Sequence, residues 1–144
     1  MNILFIGDIV GEPGREAVKS ALPSLKKREG IDFTIANSEN AAGGAGITPD
    51  IADELLGAGI DVLTNGDHIW DRKEIIDGFD REPRILRPLN YGESAPGKGS
   101  IVLNSATGAR VGVIDLVGRV FMQAVECPFK AAMAEIEKIR KETP

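Results

Sequence analysis

Ile3-Leu4-Phe5-Ile6-Gly7-Asp8 opens the chain, and its pattern returns twice: at Ile31-Asp32-Phe33-Thr34-Ile35-Ala36 followed by Asn37-Ser38-Glu39, and at Ile60-Asp61-Val62-Leu63-Thr64 followed by Asn65-Gly66-Asp67. Each is a short apolar run that ends in polar residues and a carboxylate. Runs of this length suit strands buried on both faces, as in a parallel sheet. Helical signals lie between them. Ala17, Val18, Ala21, Leu22 and Leu25 recur at helical spacing and predict a helix from about Arg15 to Glu29. Gly30 is its stop signal, and Pro23 is expected to kink or split it. Thr48 can cap a second helix, with Pro49 at its first position, running to about Leu56. A short helix is expected around Lys73 to Phe79. The result is a βαβαβ pattern, which predicts an α/β fold with parallel strands joined by right-handed crossovers.

From Pro83 the grammar changes. Pro88, Gly92, Pro96, Gly97 and Gly99 mark a long irregular stretch. Ile101-Val102-Leu103 and Val111 to Leu116 read as two strands joined through Thr107-Gly108, a β-hairpin. Phe129, Ala132, Met133, Ile136 and Ile139 share one face of a last helix. The 144 residues make one domain of ordinary size, with no internal repeat beyond the βα alternation and no low-complexity segment.

Composition narrows the partners. The hydrophobic fraction is 42% and the charged fraction 27%, normal for a globular protein. A net charge of −5 argues against a nucleic-acid backbone or an anionic membrane as the main partner. It leaves small phosphate ligands open, because a bound cation can reverse the local sign. Cys127 is the single cysteine, so an internal disulfide is excluded and a reducing compartment fits. No apolar run reaches the roughly 20 residues of a membrane helix. The expected location is the cytoplasm.

The carboxylates carry the information. In an open parallel sheet the carboxyl ends of the strands share one edge, and ligands bind in the crevice there. Asp8, Glu39 and Asp67 each follow a strand, with Asn40 and His68 directly behind two of them. Such clustered like charge is costly without a partner, since neighbouring carboxylates raise one another's pKa. A divalent cation removes the conflict. Oxygen donors suit Mg²⁺ or Mn²⁺, and an added imidazole widens the range to Fe or Zn. The plainer reading stays open at this level: Asp8 as a turn residue, Asp67-His68 as a helix cap with a surface histidine. Glu39 is harder to place that way, because Glu is a poor turn former.

Other motifs are weaker. Gly7, Gly11 and Gly14 match neither the dinucleotide nor the P-loop fingerprint. Gly43-Gly44-Ala45-Gly46 is either a phosphate-cradling nest or a flexible loop. Arg87 and Arg119 could grip a phosphate or simply be solvated. Cys127, before Pro128, reads as a packed thiol, since no second histidine exists to activate it.

Several blocks resemble the YmdB-like bacterial metallophosphoesterases: Ile6-Gly7-Asp8-Ile9-Val10-Gly11, Ser38-Glu39-Asn40-Ala41-Ala42-Gly43-Gly44 and Asn65-Gly66-Asp67-His68-Ile69-Trp70-Asp71. Leu86 to Tyr91, Gly118 to Met122 and Cys127-Pro128-Phe129 extend the likeness from Met1 to about Phe129. The resemblance implies the first half of an αββα sandwich of the calcineurin-like type, with 1–144 as one domain, the N-terminal part of that fold. It implies hydrolysis of phosphodiesters such as 2′,3′- or 3′,5′-cyclic nucleotides by a metal-activated water, with two divalent ions (Mn, Fe, Mg or Zn) in the complete site. By the same likeness Asp8 holds one metal, Glu39 bridges both, Asn40 sits beside them, Asp67 holds the second, and His68 is the catalytic residue that protonates the leaving oxygen or steadies the phosphate.

Two departures matter. The family usually has Asn-His where this chain has Asp67-His68. The family pattern also continues with three further histidine ligands, whereas His68 is this chain's only histidine. The expected partners are a small phosphodiester and a second copy of the chain covering apolar surface, with no membrane, and with nucleic acid entering only as RNA ends. Three functions stand side by side: a phosphoesterase, a metal- or nucleotide-binding assembly module keeping half of a binuclear site, and a nucleotide-binding domain without hydrolysis.

Overall fold

The computed structural model describes residues 1–142. Three strands, β1 (Ile3–Ile6), β2 (Phe33–Asn37) and β3 (Val62–Thr64), form a parallel sheet in the order β1-β2-β3. The register pairs Ile3 with Phe33 and Ile35 with Val62. The helices α1 (Gly11–Glu29), α2 (Pro49–Gly57) and α3 (Ile75–Arg81) connect or follow these strands. Leu22, Leu55, Ile75 and Phe79 from the helices meet Ala36 and Leu63 in one core, so all three helices cover the same face. That arrangement follows from a strand order that advances in one direction through crossovers of one hand.

The opposite face is covered by an antiparallel hairpin, β4 (Ser100–Asn104) and β5 (Arg110–Ile114). Phe33, Val62 and Leu86 pack there against Val111 and Val113, with Ile35, Ile101 and Leu103 at the margin. The alternation along β2 explains both cores: Phe33 and Ile35 face the hairpin while Ala36 faces the helices. α4 (Pro128–Glu142) lies against the hairpin, where Gly112 leaves room for Ile139 and Ser100 Oγ donates to Glu135 Oε1 at 2.7 Å. The fold is the expected α/β class: a βαβαβ parallel sheet plus a hairpin.

Local differences have physical causes. α1 starts at Gly11, not Arg15, because Pro13 falls in the first turn, where proline is tolerated. It also runs through Pro23 without a break. Pro23 is exposed, so the carbonyl it leaves unpaired can turn to water. β2 and β3 begin two residues later than their apolar runs suggest. The hairpin turn is at Thr107-Gly108 as expected, with Gly108 at φ 82°. The stretch after Pro83 is less irregular than its composition implies. Leu63 pairs with Ile85 and Leu86 with Lys98 as single parallel bridges, which continue the sheet towards the hairpin. On α4, Phe129 and Met133 are exposed, while Ala132, Ile136 and Ile139 turn inward.

Candidate functional site

Backbone bonds lace the three strand ends together. Ile9 N donates to Asn37 O (3.0 Å), Gly11 N to Asn40 O (2.9 Å), and Ser38 N to Thr64 O (2.9 Å). Residues some thirty positions apart are thereby locked side by side. Asp8 occupies the turn after β1 with φ 41°, a left-handed conformation uncommon for a residue other than glycine, though aspartate tolerates it best with asparagine. Backbone held in that region concentrates at functional positions.

Four of the five residues singled out from sequence form a connected group. Asn40 Nδ2 donates to Asp8 Oδ1 at 2.7 Å. Asn40 Oδ1 lies 2.6 Å from His68 Nδ1. The backbone N–H of His68 donates to Glu39 Oε2 at 3.3 Å, and Asn37 Nδ2 donates to Glu39 Oε1 at 3.4 Å. This order fixes the proton positions. A carboxylate only accepts, so Asp8 turns the NH₂ of Asn40 towards itself. The amide oxygen therefore faces His68, and Nδ1 must carry the proton. Nε2 is the ring nitrogen outside this line of bonds.

Asp67 stands apart. It opens a short 3-10 helix (Asp67–Asp71), its side chain is exposed, and among the described residues it makes no hydrogen bond to the other four. It still belongs to the neighbourhood. Burial raises the Tyr91 phenol above its ordinary value, a hydrogen bond from Trp70 opposes this, and the charges of Asp67, Glu39 and Asp115 raise it further. Tyr91 sits edge-on to Trp70, ring centroids 5.4 Å apart. Tyr91 and Asp115 are the two neighbours that the spacing of the carboxylates did not point to. Asp115 follows β5 as the other acids follow their strands, and that position was the signal for it.

The donors fit a divalent cation in kind. Asp8, Glu39 and Asp67 supply hard oxygens, and Asn37 Oδ1, next to Glu39, is a buried acceptor without a partner among the described residues, of the sort an ion or water satisfies. Gly66 makes room for the Glu39 carboxylate, because a Cβ there would overlap both carboxylate oxygens. In number they make one side of a shell: among the described residues no three carboxylate, imidazole or thiolate groups close around an ion.

The remaining candidates resolve differently. Arg87 is 4% exposed, and its guanidinium is spent on the carbonyls of Pro88, Leu89, Gly92, Ala95 and Pro96. It organises a loop and has no arm for a phosphate. The 43–46 glycine loop is neither free nor an open nest. Gly44 N is taken by Asn40 O, Ala42 N by Gly46 O, and Arg72 holds the carbonyls of Ala42 and Ala45. Cys127 is half-buried ahead of α4. The N–H groups of Lys130 and Phe129, with Arg119 beside the sulfur, hold its thiol below the ordinary value.

Residues 4–144 match the family model described as YmdB-like protein. The chain belongs to the YmdB-like family. It is 46% identical over all 144 residues to a Bacillus subtilis (strain 168) protein named 2′,3′-cyclic-nucleotide 2′-phosphodiesterase, covering 54% of that protein. A crystal structure of a hypothetical protein from Thermus thermophilus superposes with a TM-score of 0.88 at 39% identity, covering 95% of this chain and 53% of the other. A crystal structure described as a novel phosphatase from Mycoplasma pneumoniae gives a TM-score of 0.85 at 30% identity, covering 94% and 50%. This YmdB-like chain thus spans about half the length of these relatives. No helix among its described residues is long and apolar enough to cross a membrane.

Proposed function

We propose that this chain carries one wall of a metal-dependent phosphoesterase site that hydrolyses a small phosphodiester, with 2′,3′- or 3′,5′-cyclic nucleotides as the substrate class. The observation that carries the reading is the Asp8–Asn40–His68 line, with Glu39 bonded to the His68 backbone. Asp8 and Glu39 are the residues that would hold divalent ions of the Mn, Fe, Mg or Zn group, with Asn40 and Asp67 at the rim. Such ions, when bound, supply an activated water and charge neutralisation for the phosphate. The chain's own contribution is proton placement. His68 is steered by Asn40 so that Nε2 points away from the network. When water adds to phosphorus and the P–O bond breaks, a proton on Nε2 passes to the departing oxygen. Asn40 thus plays an orienting part, itself aligned by the Asp8 carboxylate.

The test uses metal-stripped protein, added Mn²⁺ and two substrates, bis(p-nitrophenyl) phosphate and a 2′,3′-cyclic nucleotide. Mn²⁺-dependent turnover is expected. His68→Ala should lower it by about 10²–10⁴-fold, the usual weight of a general acid. Asp8→Ala should abolish it. A parent chain with no Mn²⁺-dependent turnover sinks the enzyme reading.

A second reading has its own support. The donor set closes only one side of a shell among the described residues. On that ground the chain serves as a metal- or nucleotide-binding assembly module, the N-terminal part of a larger site, and calorimetry would show Mn²⁺ binding without turnover. Either reading accommodates self-association. Ile3 and Phe5 are 47% and 60% exposed on the sheet face that the hairpin covers elsewhere, and a second copy is the proposed cover.

A further inference from the structure

We propose that Asp115 is a positioning residue for the candidate site, holding the Asn65 amide and through it the alignment of the Ser38–Asn40 and Asp67–His68 segments. The inference deepens the reading above and rests on it only for the metal measurement.

Asp115 follows β5, in the hairpin layer, and still reaches the edge of the parallel sheet. Its Oδ2 accepts the backbone N–H of Asn65 at 2.7 Å. Asn65 then spends its side chain in two directions. Its Nδ2 donates to Leu86 O at 2.7 Å, and its Oδ1 accepts from Ser38 Oγ at 2.9 Å. Ser38 precedes Glu39 and Asn40, and Asn65 precedes Gly66, Asp67 and His68. One buried chain of hydrogen bonds therefore ties both donor-bearing segments to a common post. The post is rigid: Asp115 N donates to Gly99 O at 2.9 Å and Asp115 O accepts from Leu89 N at 2.8 Å. Ser38, Asn65 and Asp115 are 0%, 2% and 6% exposed, so water cannot stand in for any link.

The chemistry of the link is that of a neutral acid. Burial pushes the Asp115 carboxyl up to about 8, against the pull of the Asn65 N–H, with Glu39 adding a same-sign push. A protonated carboxyl keeps one oxygen for the Asn65 N–H, and an asparagine amide offers the same acceptor. Outer hydrogen bonds of this kind set the orientation of inner ligands and are worth about 10- to 100-fold in metal affinity.

A single histidine makes the readout unambiguous, because only one imidazole signal set exists in the NMR spectrum. Asp115→Ala should shift and broaden the His68 ring signals and weaken Mn²⁺ binding by about 10- to 100-fold. Asp115→Asn should restore both towards the parent. If Asp115→Ala lowers the melting temperature but leaves His68 signals and Mn²⁺ affinity as in the parent, Asp115 is merely structural and the proposal fails. If the alanine variant does not fold, hydrogen exchange in the parent decides: an Asn65 amide exchanging as fast as an exposed loop amide overturns the proposal, and one protected like the β2 amides supports it. If the parent binds no Mn²⁺, the metal reading falls, while the His68 signals still decide for or against Asp115.

Discussion

Gly66 shows how little a single residue needs to do to matter. Its φ of −119° lies outside the left-handed region, so no left-handed turn demands glycine there. Space does, since a Cβ would run into the Glu39 carboxylate. Because the obstacle is the end of a side chain, Gly66→Ala should fold with a stability change within about 1 kcal/mol. It should displace Glu39 from the His68 N–H and lower Mn²⁺ affinity, read by calorimetry; unchanged affinity would refute the role given to Glu39. Asp115 makes a second prediction, in pH. Its folded pKa is raised to about 8 from 3.8 by burial, with Glu39 pushing up and Arg87 and the N–H groups of Asn65 and Leu116 pulling down. Between those values the folded state keeps a proton that the unfolded state has lost. Stability from this group is therefore fullest near pH 4, falls as pH rises towards 8, and is flat beyond. Asp115→Asn should flatten the pH dependence, changing the pH 5 to pH 8 difference in unfolding free energy by about 1–4 kcal/mol in urea titrations. The meeting of Asp8, Glu39, Asn40 and His68 was legible because strand ends in a parallel sheet converge on one edge. Asn40's two-ended role was not, since it depends on which amide atom faces which neighbour.

At the scale of elements, the strands and helices followed from apolar period, and α1 departs from it at its prolines. Pro13 and Pro23 break helices only where an N–H is needed or a carbonyl cannot reach water, and neither condition holds in α1. The glycine loop after β2 was the other ambiguity, and the arginines settle it. Arg15 donates to Ala41 O at 2.7 Å while also pairing with Glu54, and Arg72 clamps the far end. α1 and α2 are clasped by the same Glu54, which also meets Lys19 at 2.8 Å; those two cations hold its carboxyl below the usual range, Lys19 foremost. Sequence periodicity cannot show such a clasp, because the partners come from different elements. Gly46 lies where loop and clamp touch, at φ 76° with Arg72 Cγ in the place of a Cβ. Gly46→Ala should cost about 1–3 kcal/mol from the left-handed backbone and the overlap together. It should also speed exchange of the Gly44 amide, visible by hydrogen exchange, with α4 amides unaffected. A variant as stable as the parent would mean the loop yields freely.

Over the whole molecule, the two layers do not match in width. The hairpin covers β2, β3 and Leu86, as the contacts of Phe33, Val62 and Leu86 show. It leaves Ile3 and Phe5 of β1 exposed. Register places Ile3 beside Phe33 and Phe5 beside Ile35, so all four side chains share one face. Phe33 is fully buried, whereas Phe5 is 60% exposed. Two apolar side chains on an edge strand, next to a finished core, are a surface that water tolerates poorly. Self-association of this chain through the β1 face is the expected consequence. Sedimentation velocity at micromolar concentration should show a species larger than 15.4 kDa. Phe5→Ser should move the distribution towards monomer while leaving the far-ultraviolet dichroism and melting temperature nearly as they were, because Phe5 contributes little to the internal core. Phe33→Ser, its neighbour in register, should instead unfold the domain, at about 3–5 kcal/mol for a fully buried aromatic. The contrast between two adjacent phenylalanines separates interface from core. A monomeric parent would show that the β1 face is stable in water, and a Phe5→Ser variant as destabilised as Phe33→Ser would show that the face is packed from within.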